Sequence, residues 1–124
     1  MIHTIQKPAL VINEDIVRKN IHWMADKART QNVIFSPHFK THQSIKIGRW
    51  FKQEGITKIT VSSLGMAEYF ANDIWQDITV AFPVNLLEIE QINTLAKQIK
   101  LGLLVESTTV IKKLAQQLTS NVNI

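Results

Sequence analysis

The sequence predicts an α/β protein of parallel strand–helix repeats, and three observations carry that reading. Short apolar runs begin at Val33, Ile56, Ile78, Leu101 and Val122, at intervals of 23, 22, 23 and 21 residues. Stretches patterned as helices separate them, and a unit of one strand plus one covering helix stacks with its neighbours through right-handed crossovers. The runs are near-continuously apolar, as in Leu103-Leu104-Val105, which suits a sheet covered on both faces.

The elements follow in order. Residues 9–12, Ala-Leu-Val-Ile between Pro8 and Asn13, read as a brief leading strand. A helix is predicted over 14–29, because Val17, Ile21, Met24 and Ala28 recur at steps of four, three and four. Asn13 suits its N-cap, and Glu14 and Asp15 suit the positive end of the helix dipole. Residues 33–36 read as the first repeat strand, and a helix over 44–54 stops at Gly55, a good residue just past a helix end. Residues 56–61 are rich in β-branched side chains and predict a strand, followed by a short helix over 65–71 and a loop at Asn72-Asp73. A strand over 78–82 ends at Pro83. Asn85 caps a helix carrying Ile89, Ile92, Ala96 and Ile99. A strand over 101–105 leads to a helix capped by Ser107 or Thr108 and carrying Ile111, Leu114, Ala115 and Leu118. Val122-Asn123-Ile124 looks like a further strand beginning.

Composition excludes several function classes. At 124 residues the chain has room for one domain, and a complete (β/α)8 barrel of about 250 residues does not fit. On length alone, a compact doubly wound sheet of about five strands is the arrangement that could close. Without cysteine there is no disulfide framework, thiolate zinc site or cysteine nucleophile. Fourteen Lys and Arg face ten Asp and Glu, but no stretch concentrates them as a nucleic-acid patch does. Met1-Ile2-His3-Thr4 lacks a signal-peptide start, and the longest charge-free apolar stretch falls far short of the roughly 20 residues of a membrane span. The expectation is a cytoplasmic protein with neither nucleic-acid nor membrane partners.

Reactive groups of parallel α/β proteins gather at the carboxyl ends of the strands. Those ends carry Pro37-His38-Phe39-Lys40-Thr41-His42, then Ser62-Ser63, Phe82-Pro83 and Glu106-Ser107, so Lys40, Ser62, Phe82 and Glu106 should share one rim. A lysine at such an end suits Schiff-base chemistry, since desolvation and cationic neighbours free its amine. Spacing alone leaves two readings open for Lys40, a reactive amine or a loop lysine paired with a nearby acid. His38 and His42 stand four apart like half of a zinc site. They straddle a strand–loop junction without a third ligand, so hydrogen bonding around a ligand or the loop is the better reading. His3 and His22 read as surface residues without partners, and Trp23, Trp50 and Trp75 as packing residues. Lys58 falls inside a strand pattern, away from its carboxyl end.

Four segments in order resemble one family: K-P-A-L-V-I-N-E-D at 7–15, S-P-H-F-K-T-H at 36–42, I-T-V-S-S-L-G-M-A-E at 59–68 and A-F-P-V at 81–84. Together they resemble the D-threonine aldolase/D-serine dehydratase group of the alanine-racemase-like, fold-type III pyridoxal-phosphate enzymes. The resemblance implies a (β/α)8 TIM-type barrel followed by a β domain. Residues 1–13 would then join that β domain, and residues 14–124 would be the first four βα units of the barrel, ending at its fifth strand. Two positions depart from the family pattern: Gln43 stands where another lysine is frequent, and Met66 replaces the first acid of a helix start that keeps Glu68.

The resemblance further implies pyridoxal 5'-phosphate as cofactor, with Lys40 as its Schiff-base lysine and as base. His38, Thr41, His42 and Ser62 are then candidates for holding it. No metal ligand is assigned within these residues, and the zinc or manganese of some members would be bound by parts outside them. The implied activity is that of a D-3-hydroxyamino-acid dehydratase or aldolase acting on a small D-amino acid as a homodimer. An amino-acid racemase or a non-catalytic pyridoxal-phosphate carrier are the alternatives. Four open βα units have unpaired strand edges, so the 124 residues by themselves are expected to be inactive.

Overall fold

The computed structural model describes residues 6–124, so His3 lies outside the described residues. Asn13 accepts the Ile16 N–H through its side chain and starts α1 (Glu14–Thr30). After residues 31–38 comes a short 3-10 turn (Phe39–Thr41), then α2 (Ile45–Gln53), capped by Ser44. Gly55 follows α2 with φ +80°, a left-handed conformation that glycine adopts without a Cβ clash. The chain continues as β1 (Lys58–Val61), α3 (Leu64–Ala71) and β2 (Asp77–Pro83). A 3-10 turn (Leu86–Glu88) capped by Asn85 leads into α4 (Ile89–Ala96), then β3 (Lys100–Leu104) and α5 (Thr108–Gln117), capped by Ser107.

The sheet is parallel and runs in sequence order, β1-β2-β3. Thr60, Thr79 and Gly102 lie side by side across it. Single parallel bridges extend the row at both ends, from His38 to Thr60 and from Gly102 to Asn123. A doubly wound sheet reverses strand order at a switch point, whereas each strand here lies beside its predecessor, the order of a (β/α)8 barrel. The parallel repeat is as predicted over β1, β2 and β3, whereas the strand expected from Val122 is a single bridge at Asn123.

Several details differ from the sequence reading. Residues 33–36 form no ladder: Val33 and Ile34 are exposed, and the segment reaches β1 through the Thr60 N–H, which donates to the Pro37 carbonyl at 2.9 Å. Pro37 has no N–H to extend the pairing. Residues 9–12 likewise form no strand, and Leu10 is 87% exposed, because no described strand lies beside them. The strand predicted over 56–61 starts at Lys58, and Ile99 lies just beyond α4.

One face of the sheet is buried. Ile59, Val61, Ile78, Val80, Leu101 and Leu103 pack with Leu64, Ala67 and Phe70 of α3 and Ile92 and Leu95 of α4. The other face carries half-buried Thr60 and Thr79, buried Gly102 and exposed Leu104, so the sheet is only partly covered on that face. A second cluster, Ile21, Ile47 and Trp50, joins α1 to α2. Trp50 and Trp75 pack as expected. Trp23 does not: it is exposed, with the Lys27 ammonium 5.4 Å from its ring centre. His22 is a surface residue, yet it has a partner, since its Nδ1 lies 2.9 Å from Glu54. Among the described residues no helix is long and apolar enough to cross a membrane.

Candidate active site

Lys40 sits in the middle of the 3-10 turn, immediately beyond the bridge at His38. Its backbone is held on both sides by neighbouring side chains. His38 Nδ1 accepts the Lys40 N–H at 3.2 Å, and Gln43 Nε2 donates to the Lys40 carbonyl at 3.1 Å. Phe39 anchors the turn: it is fully buried, with ring centres of Phe51, Phe70 and Trp75 at 5.1, 5.0 and 5.2 Å. Gly48 on α2 makes room for it, since a Cβ there would lie 3.1 Å from Phe39 Cε2. The Lys40 side chain is exposed, and among the described residues no carboxylate pairs with it. The paired loop lysine is therefore not what the structure holds.

The two histidines of the motif have different surroundings. His38 is partly exposed, and burial together with the Lys40 ammonium lowers its pKa from 6.5. His42 is held among aromatic rings, Phe39 at 4.4 Å, Phe51 near-parallel at 5.9 Å and Phe70 at 6.3 Å between centres. Burial pushes its pKa below 6.5. Its Nδ1 accepts the Ser44 N–H at 3.1 Å, which leaves the proton on Nε2, a buried atom with no hydrogen-bond partner. Gln43, between His42 and Ser44, has φ +43° and turns the chain into α2.

The candidate residues divide between two cavities. His38, Thr41 and His42 line an apolar groove of about 560 Å³ shared with Leu10, Ile12, Val17, Met24 and Phe35. Ser62 and Phe82 line a pocket of about 90 Å³ at the carboxyl ends of the strands, with Asn85 and Glu88. Lys40 and Glu106 line neither, although the ends of β1, β2 and β3 share one edge of the sheet and the His38 bridge brings the Lys40 turn beside the end of β1. Ser62 makes no side-chain hydrogen bond among the described residues, whereas Ser63 Oγ caps α3 by accepting the Met66 N–H at 3.2 Å. The sequence reading missed the brace from Gln43 and the hydroxyl pair Ser36–Thr60, 2.9 Å apart beside the turn. Two hydroxyls at strand residues of adjacent repeats were the available signal.

Sequential parallel strands, a helix after each, and a lysine on a hydrogen-bonded turn at the carboxyl rim define a partial domain of the alanine-racemase-like, fold-type III class. Comparison with known proteins narrows this. The chain is 31% identical to D-serine dehydratase of Dictyostelium discoideum over 88 residues, 67% of this chain and 22% of that protein. It is 37% identical to D-threo-3-hydroxyaspartate dehydratase of Delftia sp. (strain HT23) over 67 residues, 54% of this chain and 18% of that one. The solved structure of the Delftia protein matches with a TM-score of 0.86 at 31% identity, covering 91% of this chain and 30% of that one. Two structures below 25% identity share the fold. D-threonine aldolase from Filomicrobium marinum has a TM-score of 0.84 at 24%, covering 90% of this chain and 31% of its own. An alanine-racemase-like protein from Idiomarina loihiensis has 0.78 at 23%, covering 93% and 32%. No protein-family model matches the chain.

The chain is a partial fold-type III domain of the D-threonine aldolase/D-serine dehydratase group. It spans about a fifth of the length of the curated relatives it matches.

Proposed function

We propose that the chain is the lysine-bearing part of a pyridoxal-phosphate enzyme acting on D-amino acids, a dehydratase or aldolase of D-3-hydroxyamino acids. The observation that carries this reading is Lys40, an exposed amine without an ionic partner among the described residues, on a turn whose backbone is braced at both its N–H and its C=O. Such a side chain fits the aldehyde end of the cofactor. The pocket beside Ser62 suits a phosphate less well, because the Glu88 carboxylate lines it.

When bound, pyridoxal phosphate supplies an electron sink for whichever bond at the substrate's Cα is broken. Lys40 Nζ would hold the cofactor at its aldehyde carbon and would serve as the base that accepts the proton from Cα. His38 and Thr41 face the groove beside the turn, and Ser62 stands at the next strand end; these three are the residues we assign to hold the cofactor. Residues 1–13 would add to a β domain, a reading supported by the exposure of Leu10, Val11 and Ile12. The enzyme so described is cytoplasmic and homodimeric and takes a small D-amino acid.

The test is borohydride reduction with pyridoxal phosphate, followed by peptide mapping, on the protein made from its whole reading frame. The pyridoxyl label is expected on Lys40. A label on Lys46 or Lys58 instead overturns the assignment.

A further inference from the structure

We infer that His42 is a positioning residue for Lys40: an imidazole that braces the exit of the lysine turn from among the rings of Phe39, Phe51 and Phe70, not a contact to bound cofactor. This rests on the reading of Lys40 given above.

Both ring nitrogens are unavailable to a ligand arriving from solvent. Nδ1 is occupied by the Ser44 N–H, and Nε2 is buried without a partner. Phe39 packs tilted against the His42 ring at 4.4 Å between centres, and Phe51 lies near-parallel to it at 5.9 Å. Phe39 is the residue before Lys40, so the imidazole packs on the side chain that anchors the lysine's own backbone. On its other side His42 adjoins Gln43, whose left-handed φ is unfavourable for a residue with a Cβ and persists only when its surroundings over-determine it. Three hydrogen bonds do so: Gln43 N–H to the Phe39 carbonyl at 3.0 Å, Gln43 Nε2 to the Lys40 carbonyl, and Ser44 N–H to His42 Nδ1.

The residue type follows from two demands. A phenylalanine would fill the cage but leave the Ser44 N–H without its acceptor. An asparagine would supply an acceptor but leave a void among the rings. Histidine meets both, at the cost of one unpaired Nε2–H. Burial, which lowers its pKa, keeps the ring neutral and so keeps Nδ1 an acceptor.

The experiment compares His42→Phe and His42→Asn with the unaltered protein, each made from the whole reading frame. Hydrogen exchange is followed in peptides covering residues 38–48, and the pyridoxyl label on Lys40 is compared with that on Lys46 and Lys58. His42→Phe is expected to keep the melting temperature while exchange at Ser44 speeds about tenfold and the preference for Lys40 falls several-fold. His42→Asn is expected to melt lower yet retain slow exchange and the preference for Lys40. Selective Lys40 labelling that His42→Phe leaves undisturbed overturns this inference alone. A label elsewhere in the unaltered protein overturns the reading of Lys40 and this inference with it. Should neither variant fold, ¹⁵N spectroscopy of the unaltered protein decides: His42 at pH 7 is expected as the Nε2–H tautomer, and an Nδ1-protonated or doubly protonated ring overturns the inference.

Discussion

Gly102 lies opposite Thr79 in the parallel register, and a Cβ on Gly102 would come within 2.6 Å of Thr79 Oγ1. The β-branch of threonine restricts its χ1, so the hydroxyl does not swing aside freely. Gly102→Ala should therefore destabilise the fold by about 1–3 kcal/mol in urea unfolding. Thr79→Ala removes Oγ1 and Cγ2 and leaves Cβ at 3.2 Å, so the double variant should recover part of the loss. Strictly additive losses would show that the clash is relieved elsewhere.

Adjacent residues in the lysine turn should separate function from stability. The Lys40 side chain is exposed and without an ionic partner among the described residues, so Lys40→Ala should change the unfolding free energy by less than about 0.5 kcal/mol while abolishing the specific pyridoxyl label. Phe39 is fully buried, and Phe39→Ala should cost about 3–5 kcal/mol. Lys58→Ala, at the opposite end of β1, should leave both the label and turnover nearly unchanged.

The neighbouring serines make a second such pair. Ser63 caps α3, and Ser63→Ala should lower stability by about 1 kcal/mol. Ser62 lines the rim pocket without a side-chain hydrogen bond among the described residues. Ser62→Ala should leave the melting curve close to that of the unaltered protein and weaken pyridoxal-phosphate binding instead, which a cofactor titration would measure.

His38 and His42 both hold protons less tightly in the fold than the ordinary value of 6.5. Below about pH 6.5 the unfolded chain therefore binds more protons than the folded one. Their contribution to stability is complete above pH 6.5 and is lost as pH falls from there through the depressed folded values. The urea midpoint should be lower at pH 5.5 than at pH 7.5, and His42→Phe should narrow the difference. An equal difference in that variant would assign the effect to other groups.

The helices were legible because their period and caps are local. Asn13, Ser107 and Gly55 mark boundaries that hold in the structure. Strand extent was less legible, since a ladder needs a neighbour: residues 33–36 have the composition of a strand but make a single isolated bridge through His38. Leu104 shows the same limit, because an apolar run does not say whether anything covers its second face. In the site, the lysine motif could be read directly. The burial of His42 could not, because the rings that enclose it come from positions 39, 51 and 70. Gln43 registered only as a departure from the family pattern, and its role depends on a backbone angle that a sequence does not show.

The sequential strand order also bears on how quickly the fold can be reached. Thr60 and Thr79 are paired across nineteen residues of chain, and Thr79 and Gly102 across twenty-three. No described strand has to wait for a distant partner, so each loop closure costs little entropy and contact order stays low for a parallel sheet. A nascent chain leaving the ribosome could dock each βα unit onto the one before it, starting once β1 and β2 have both emerged.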